Sequence, residues 1–271
     1  MKFIEKIRAA AVKNDSLVCV GLDSDVTKLP KGVDQLSFNK TIIDATHDLV
    51  CAYKPNTAFY EAQGDEGLKA LKATCNYIHQ VAPDVPILLD AKRADIGNTN
   101  NGYVQFAYDY LGADAITLHP YLGREALEPL LAREDKGSII LCRTSNPGSG
   151  EFQDLPVDGE KLYMHVARMV AKDWNTSGNC MLVVGATYPA DALAVRQAIG
   201  DDLWFLIPGI GAQGGDLEKA VAASMNSRGD GFVINSSRGS IFASSGADYA
   251  KAARQATEAL RSEINTYRKG K

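Results

Sequence analysis

Short apolar runs recur along the chain at Leu17–Leu22, Val50–Tyr53, Pro86–Leu89, Ala115–Leu118, Ser138–Cys142, Met181–Val184, Trp204–Ile207 and Gly231–Ile234. They lack the alternation of a strand that shows one face to water, so they predict strands buried on both faces. Between successive runs lies a segment whose apolar positions fall at helical spacing. The polar residues that close the runs are Asp23, Lys54, Asp90, His119, Ser145, Thr187, Gly209 and Arg238, spaced 22 to 42 residues apart. One strand-plus-helix unit takes about 30 residues. Eight units predict an α/β fold, a single (β/α)8 TIM barrel, with a doubly wound open sheet as the alternative. Ahead of the first run, Phe3, Ile4 and Ile7 sit at helical spacing among charges. They predict an extra N-terminal helix, too short in its apolar part for a signal sequence. With no linker or composition shift, residues 1–271 are expected to form one barrel catalytic domain.

The eight runs end in GLDSD, YKPN, DAKRAD, LHPY, RTSNPG, GATYP, PGIGAQGG and NSSRGS. Active sites of barrel enzymes lie at that C-terminal rim. Caps and turns explain the Ser, Asn, Asp and Gly, but not Lys54, Lys92 and Arg238 arriving at the same rim. The widest spacing leaves Asn146–Gly159, NPGSGEFQDLPVDG, as a long Gly- and Pro-rich loop expected to act as a lid.

At 271 residues, 45% hydrophobic and 23% charged, the chain has the composition of an ordinary soluble globular protein. Its formal charge of −4 is spread through the sequence, which disfavours nucleic acid and anionic membrane as partners. Five cysteines without a C-x-x-C pair indicate a reducing, cytoplasmic compartment and no zinc site. His119, before Pro120, and His165, in a helical segment, have no acidic or histidine partner at ligand spacing and read as structural.

The candidate chemistry lies in LLDAKRADIGNTN, where Asp90, Lys92 and Asp95 form D-x-K-x-x-D at a strand end. On a regular strand Asp90 and Lys92 share a face, about 7 Å apart along the backbone, close enough for their charges to meet. The loops after the seventh and eighth strands, PGIGAQGG and NSSRGS, fit a phosphate site, with Gln213 as amide donor and Arg238 as the charge. An elongated phosphorylated small molecule lying across the barrel mouth satisfies both ends.

LLDAKRADIGNT, RTSNPGS, PGIGAQGGD and NSSRGS resemble the longer bacterial-type branch of the orotidine 5′-phosphate decarboxylase family over essentially the whole chain. That resemblance implies decarboxylation of orotidine 5′-phosphate to UMP and CO2 in pyrimidine synthesis, with no cofactor and no metal. It assigns Asp23 and Lys54 to the ribose hydroxyls, Lys54 also lying next to Asp90, and makes Lys92 the proton donor, held between Asp90 and Asp95. It sends Asp95 and Thr99 into the neighbouring subunit's site of a homodimer. Ser145 is implied at the pyrimidine, and Gln213 and Arg238 at the phosphate. The shorter branch of the family carries a Tyr just after the phosphate-loop Gln, where this chain has Gly214 and Gly215. The alternatives are a metal-dependent sugar-phosphate decarboxylase or aldolase of the same suprafamily, a Schiff-base aldolase, and a non-catalytic nucleotide-phosphate binder. The first places an acidic metal ligand near the end of the second strand, where Lys54 stands. The second needs a Lys of lowered pKa, which flanking carboxylates oppose.

Overall fold

A computed structural model describes residues 1–201, 203–210 and 215–269. Among these, eight parallel strands form one sheet: β1 Val18–Gly21, β2 Ala52–Lys54, β3 Leu88–Arg93, β4 Ala115–Leu118, β5 Gly137–Arg143, β6 Cys180–Val184, β7 Trp204–Ile207 and β8 Phe232–Ser236. They pair in the order β2-β1-β8-β7-β6-β5-β4-β3. Bridges Tyr53 to Ile87 and Asn56 to Asp90 join the first and last of that order, closing the barrel. The sheet is thus the TIM barrel expected, not the open alternative.

The strands are apolar throughout because both faces are covered. Trp204, Phe205, Phe232 and Tyr53 are fully buried within them. Around the outside, helix Gln35–Thr46 packs on the C-terminal helix Tyr249–Lys269, and Phe38 stacks on Phe242 and Tyr249 at 5.4 and 5.2 Å between ring centres. Among the described residues no helix is long and apolar enough to cross a membrane. All five cysteines are buried and unpaired, and burial pushes the Cys19 thiol up to about 12.

The N-terminal helix, Phe3–Lys13, lies across the end of the barrel where the strands begin. Phe3 packs so closely on Gly137 that a Cβ there would come within 2.2 Å of its ring. Lys6 pairs with Asp114 at 2.8 Å, and the other Asp114 oxygen accepts the Ile87 N–H. Polar side chains that meet backbone groups thereby close the bottom, and the opposite rim is left for chemistry.

Most strand ends shift by one or two residues from the apolar runs, and three differences bear on the rim. β2 begins two residues later than its apolar run, since Val50 and Cys51 form the buried approach to it. β3 runs on through Asp90 and Lys92 to Arg93, because an irregularity in its pairing with β4 accommodates the charges. The presumed long loop has structure of its own: a 3-10 turn Pro147–Ser149, a helical turn Gly150–Gln153, and a hairpin pairing Pro156–Val157 with Glu160–Lys161. Its connection is Asp158-Gly159, both at positive φ (51° and 85°), the two-residue turn whose twist matches a hairpin.

Candidate active site

The centre of the rim is a row of alternating charges. Lys54, at the end of β2 and 3% exposed, donates to Asp90 Oδ2 at 2.8 Å and lies 3.7 Å from Asp23 Oδ1. Lys92 Nζ donates to Asp90 Oδ1 at 2.6 Å. Asp90 also accepts from Thr117 Oγ1 at 3.0 Å and Asn56 Nδ2 at 3.3 Å, so both its oxygens are held from two sides. Burial by itself disfavours the Asp90 carboxylate, but Lys54 and Lys92 outweigh it and hold the group well below the usual carboxylate range. Burial likewise opposes the Lys54 ammonium, and Asp23 and Asp90 more than compensate, so its pKa is raised. Two ammoniums and two carboxylates give the row no formal net charge.

Lys92 does not reach Asp90 by the regular alternation expected of a strand. Its φ is +46°, a left-handed conformation that costs a non-glycine residue about 1–3 kcal/mol and persists only when its surroundings hold it. Thr117 of β4 holds it: its Oγ1 accepts the N–H of Ala91 at 3.0 Å and of Lys92 at 2.9 Å while donating to Asp90. One hydroxyl thereby fixes the backbone of Lys92 and the carboxylate it pairs with. The Lys92 side chain is 51% exposed, open to a ligand where Lys54 is not.

These residues line a cavity of about 520 Å³ at the barrel mouth. Ser145 and Asn146 line its β5 side, and Ser145 is seated against Gly185, where a Cβ would come within 2.8 Å of its Cα. Arg238, exposed at the start of a helical turn Arg238–Ile241, lines the β8 side. Asp23 Oδ1 and Asn235 Oδ1 are buried acceptors with no hydrogen-bond partner among the described residues, and both residues line the cavity. A ligand rich in hydroxyl donors fits such a wall.

The structure brings Asp23, Lys54, Asp90, Lys92, Ser145 and Arg238 to one cavity. It does not bring Asp95 to Lys92 of the same chain. Among the described residues the Asp95 carboxylate pairs with no cation, and its Oδ1 accepts the Ile96 N–H at 2.7 Å. Within this chain Lys92 is therefore held by Asp90 and not between Asp90 and Asp95. Thr99 is exposed in the first turn of helix Gly97–Val104. Gln213 and Gly214 lie outside the described residues. His165 sits 3.8 Å from Glu160, a carboxylate neighbour that its spacing did not reveal.

Sequence reasoning missed Thr117, Asn56, Asn235 and Gln153. Thr117 is the only polar residue of AITL, and Asn235 is the first polar residue after Phe232-Val-Ile, so both were visible as polar interruptions of buried strands. Gln153 lines the cavity from within the β5 loop, and nothing in its local pattern announces that.

Residues 16–256 match the model of a family described as orotidine 5′-phosphate decarboxylase / HUMPS. A protein of Azoarcus sp. named orotidine 5′-phosphate decarboxylase is 50% identical over 273 residues, covering 99% of this chain and 100% of its own. One of the same name from Cellvibrio japonicus is 48% identical over 275 residues, with the same coverage. Among solved structures, Leishmania donovani OMP decarboxylase is similar with a TM-score of 0.86 at 38% identity, over 99% of both chains. The UMP synthase of that organism is similar with a TM-score of 0.88 at 40% identity, over 99% of this chain and 57% of that one.

Proposed function

The chain belongs to the orotidine 5′-phosphate decarboxylase family, and with that membership as premise we propose how its residues act and how its subunits assemble. The enzyme is a carboxy-lyase that converts orotidine 5′-phosphate to UMP and CO2 in pyrimidine biosynthesis. The Lys54–Asp90–Lys92 row carries the mechanistic reading.

Loss of CO2 from C6 of the pyrimidine leaves an electron pair with no conjugated sink, so a cation at C6 has to stabilise it. Lys92, half exposed and aimed by Asp90, stabilises that carbanion as it forms and then delivers a proton to C6. Asp90 faces the departing carboxylate. Two like charges 4 Å apart at an effective dielectric of 20 repel by about 4 kcal/mol, against the roughly 8–23 kcal/mol that enzymes supply. Here both Asp90 oxygens are already bonded to ammoniums, which weakens the repulsion further. Stabilisation of the transition state by Lys92 is therefore the larger effect. Asp23 and Lys54 take the ribose hydroxyls, the unpartnered Asp23 Oδ1 being an acceptor ready for one. Ser145 meets the pyrimidine, and Arg238, with Gln213, holds the phosphate, whose binding energy is available to the chemical step.

The reaction needs no cofactor and no metal in this reading, since Lys54 puts a fixed positive charge where the metal-dependent relatives need an acidic ligand. The test is consumption of orotidine 5′-phosphate, followed by loss of the orotate absorbance, after exhaustive chelation. Turnover is expected to survive EDTA. Loss in EDTA with recovery on adding Mg²⁺ contradicts the reading.

The whole chain acts as one catalytic domain in the cytoplasm, and the working unit is a symmetric homodimer in which Asp95 and Thr99 reach the partner's site. Two observations support this. Asp95 is unpaired with Lys92 in its own chain, and the loops that follow neighbouring strands β3, β4 and β5 expose Ile96 (62%), Tyr121 (84%) and Phe152 (63%), an apolar rim suited to a second copy. Mixing inactive Lys92→Ala and Asp95→Ala chains should then restore activity. About half the dimers are hybrids under random exchange, and one site of each is intact, so roughly a quarter of sites recover. Exchange confirmed by mass with no recovery places Asp95 in its own subunit's site.

A further inference from the structure

Arg143 closes β5 immediately before the cavity-lining Thr144, Ser145 and Asn146, yet it does not line the cavity itself. It is 3% exposed, and its donors go to three side chains on two separate segments. Nε donates to Asp191 at 2.8 Å, in the helix Pro189–Ile199 that follows β6. Nη1 donates to Ser149 Oγ at 3.0 Å, and Nη2 to Asp154 at 3.4 Å, both in the segment that follows β5. The guanidinium plane lies 4.0 Å from the ring centre of Tyr188. A planar fork with donors on several edges serves this arrangement, and a point charge does not.

A second latch lies beside it. The Gln153 carboxamide closes a ring with Thr144, accepting its N–H at 2.9 Å and donating to its Oγ1 at 2.8 Å. Gln153 and Asp154 are adjacent, so the two latches fasten one turn of chain back onto the end of β5. Asp154 also pairs with Lys161 of the hairpin at 3.0 Å, which carries the connection onward. Ser145 and Asn146 lie between the latches.

We propose that Arg143 is the positioning residue of this site, fastening the segment after β5 so that Ser145, Asn146 and Gln153 stand at fixed positions in the cavity wall. It acts on the half of the ligand that faces β5 and leaves the half at Arg238 untouched. The identity of that ligand rests on the decarboxylase reading; the latch itself does not.

The experiment compares the wild type with Arg143→Lys and with the milder Asp154→Asn, whose target is partly exposed and whose change keeps the side chain's shape. Amide hydrogen exchange needs no ligand: exchange across residues 144–154 should rise in both variants while the barrel strands stay protected. With UMP and ribose 5-phosphate as probes, affinity for UMP should fall roughly 10- to 100-fold in Arg143→Lys and several-fold in Asp154→Asn, the scale expected of a misplaced binding group. Affinity for ribose 5-phosphate should hold within about twofold, a split that general damage to the fold does not produce. The inference is overturned if exchange and both affinities stay at wild-type values, or if both affinities fall together as the strands lose protection. Where Arg143→Lys does not fold, Asp154→Asn decides alone by the same criteria. A wild type that binds neither probe and consumes no orotidine 5′-phosphate refutes the decarboxylase reading instead, and the exchange result still judges the latch.

Discussion

Two buried cations at opposite ends of the barrel do opposite work. Lys54, at the rim where the strands end, is surrounded by carboxylates. Arg196, beneath the start of β7 and β8, is surrounded by main-chain carbonyls: it donates to Ser224 twice, and to Gly200, Leu203 and Gly231, at 2.7 to 3.0 Å. It also stacks 3.9 Å from the centre of Phe205. Burial opposes the charge on both. For Lys54 the carboxylates more than offset it and the pKa is raised, whereas for Arg196 burial wins over the more distant Asp201 and Asp230 and the pKa falls to about 10. Both stay protonated at neutral pH.

The difference lies in what the partners can do next. Carbonyls at helix and strand ends are orphans that any fold has to satisfy, and a guanidinium satisfies five such bonds at once. Carboxylates that hold an ammonium are charges kept in place at a cost, which is worthwhile if, as in the proposed mechanism, a second ammonium, Lys92, is to be aimed at a ligand. A buried charge is a marker of chemistry when its partners are also charged and one member of the set remains open to solvent.

The largest effect expected from breaking the rim is that of Lys54→Met. It leaves Asp23 and Asp90 without the cation between them, Asp90 keeping only Lys92, so stability should fall by about 3–5 kcal/mol and kcat/KM by at least about 10³-fold. Urea unfolding and steady-state kinetics measure the two. A fall in stability with kcat/KM unchanged makes Lys54 another Arg196. A smaller effect sharpens the comparison: Thr117→Val keeps volume but removes the hydroxyl that holds the Ala91 and Lys92 N–H groups. It should cost about 1–3 kcal/mol. Turnover should fall roughly 10-fold through the displaced Lys92, with KM little changed. Unchanged kcat shows that Lys92 holds its left-handed conformation without that hydroxyl.

The barrel was legible in the chain because parallel strands covered on both faces leave apolar runs that no alternation blurs, and their spacing gives the unit size. The charged residues of the rim were legible because Lys and Asp at the end of such runs have no other reason to be there. The positive φ of Lys92 was not legible: it depends on Thr117, a residue 25 positions away in another strand. Arg143 stood in the sequence as part of RTSNPGS, but its partner Asp191 is 48 positions distant, and only the closed barrel brings the β5 and β6 ends together. The hairpin within the β5 segment could have been read from Asp158-Gly159, a turn pair hidden by the Gly- and Pro-rich sequence around it. Local pattern carries elements and their ends, while contacts across the rim emerge only with closure.

The most direct test of charge for chemistry at one end and charge for folding at the other is a crossed measurement of kcat and unfolding free energy on Lys92→Ala and Arg196→Met. Lys92→Ala should lose at least about 10³-fold in kcat and keep its unfolding free energy within about 1 kcal/mol, since its side chain is half exposed. Arg196→Met should lose about 3–5 kcal/mol through five unsatisfied carbonyl bonds and a vacated buried site, while kcat per folded molecule stays within about twofold. If the two variants instead lose activity and stability in parallel, the division between the two ends of the barrel is wrong.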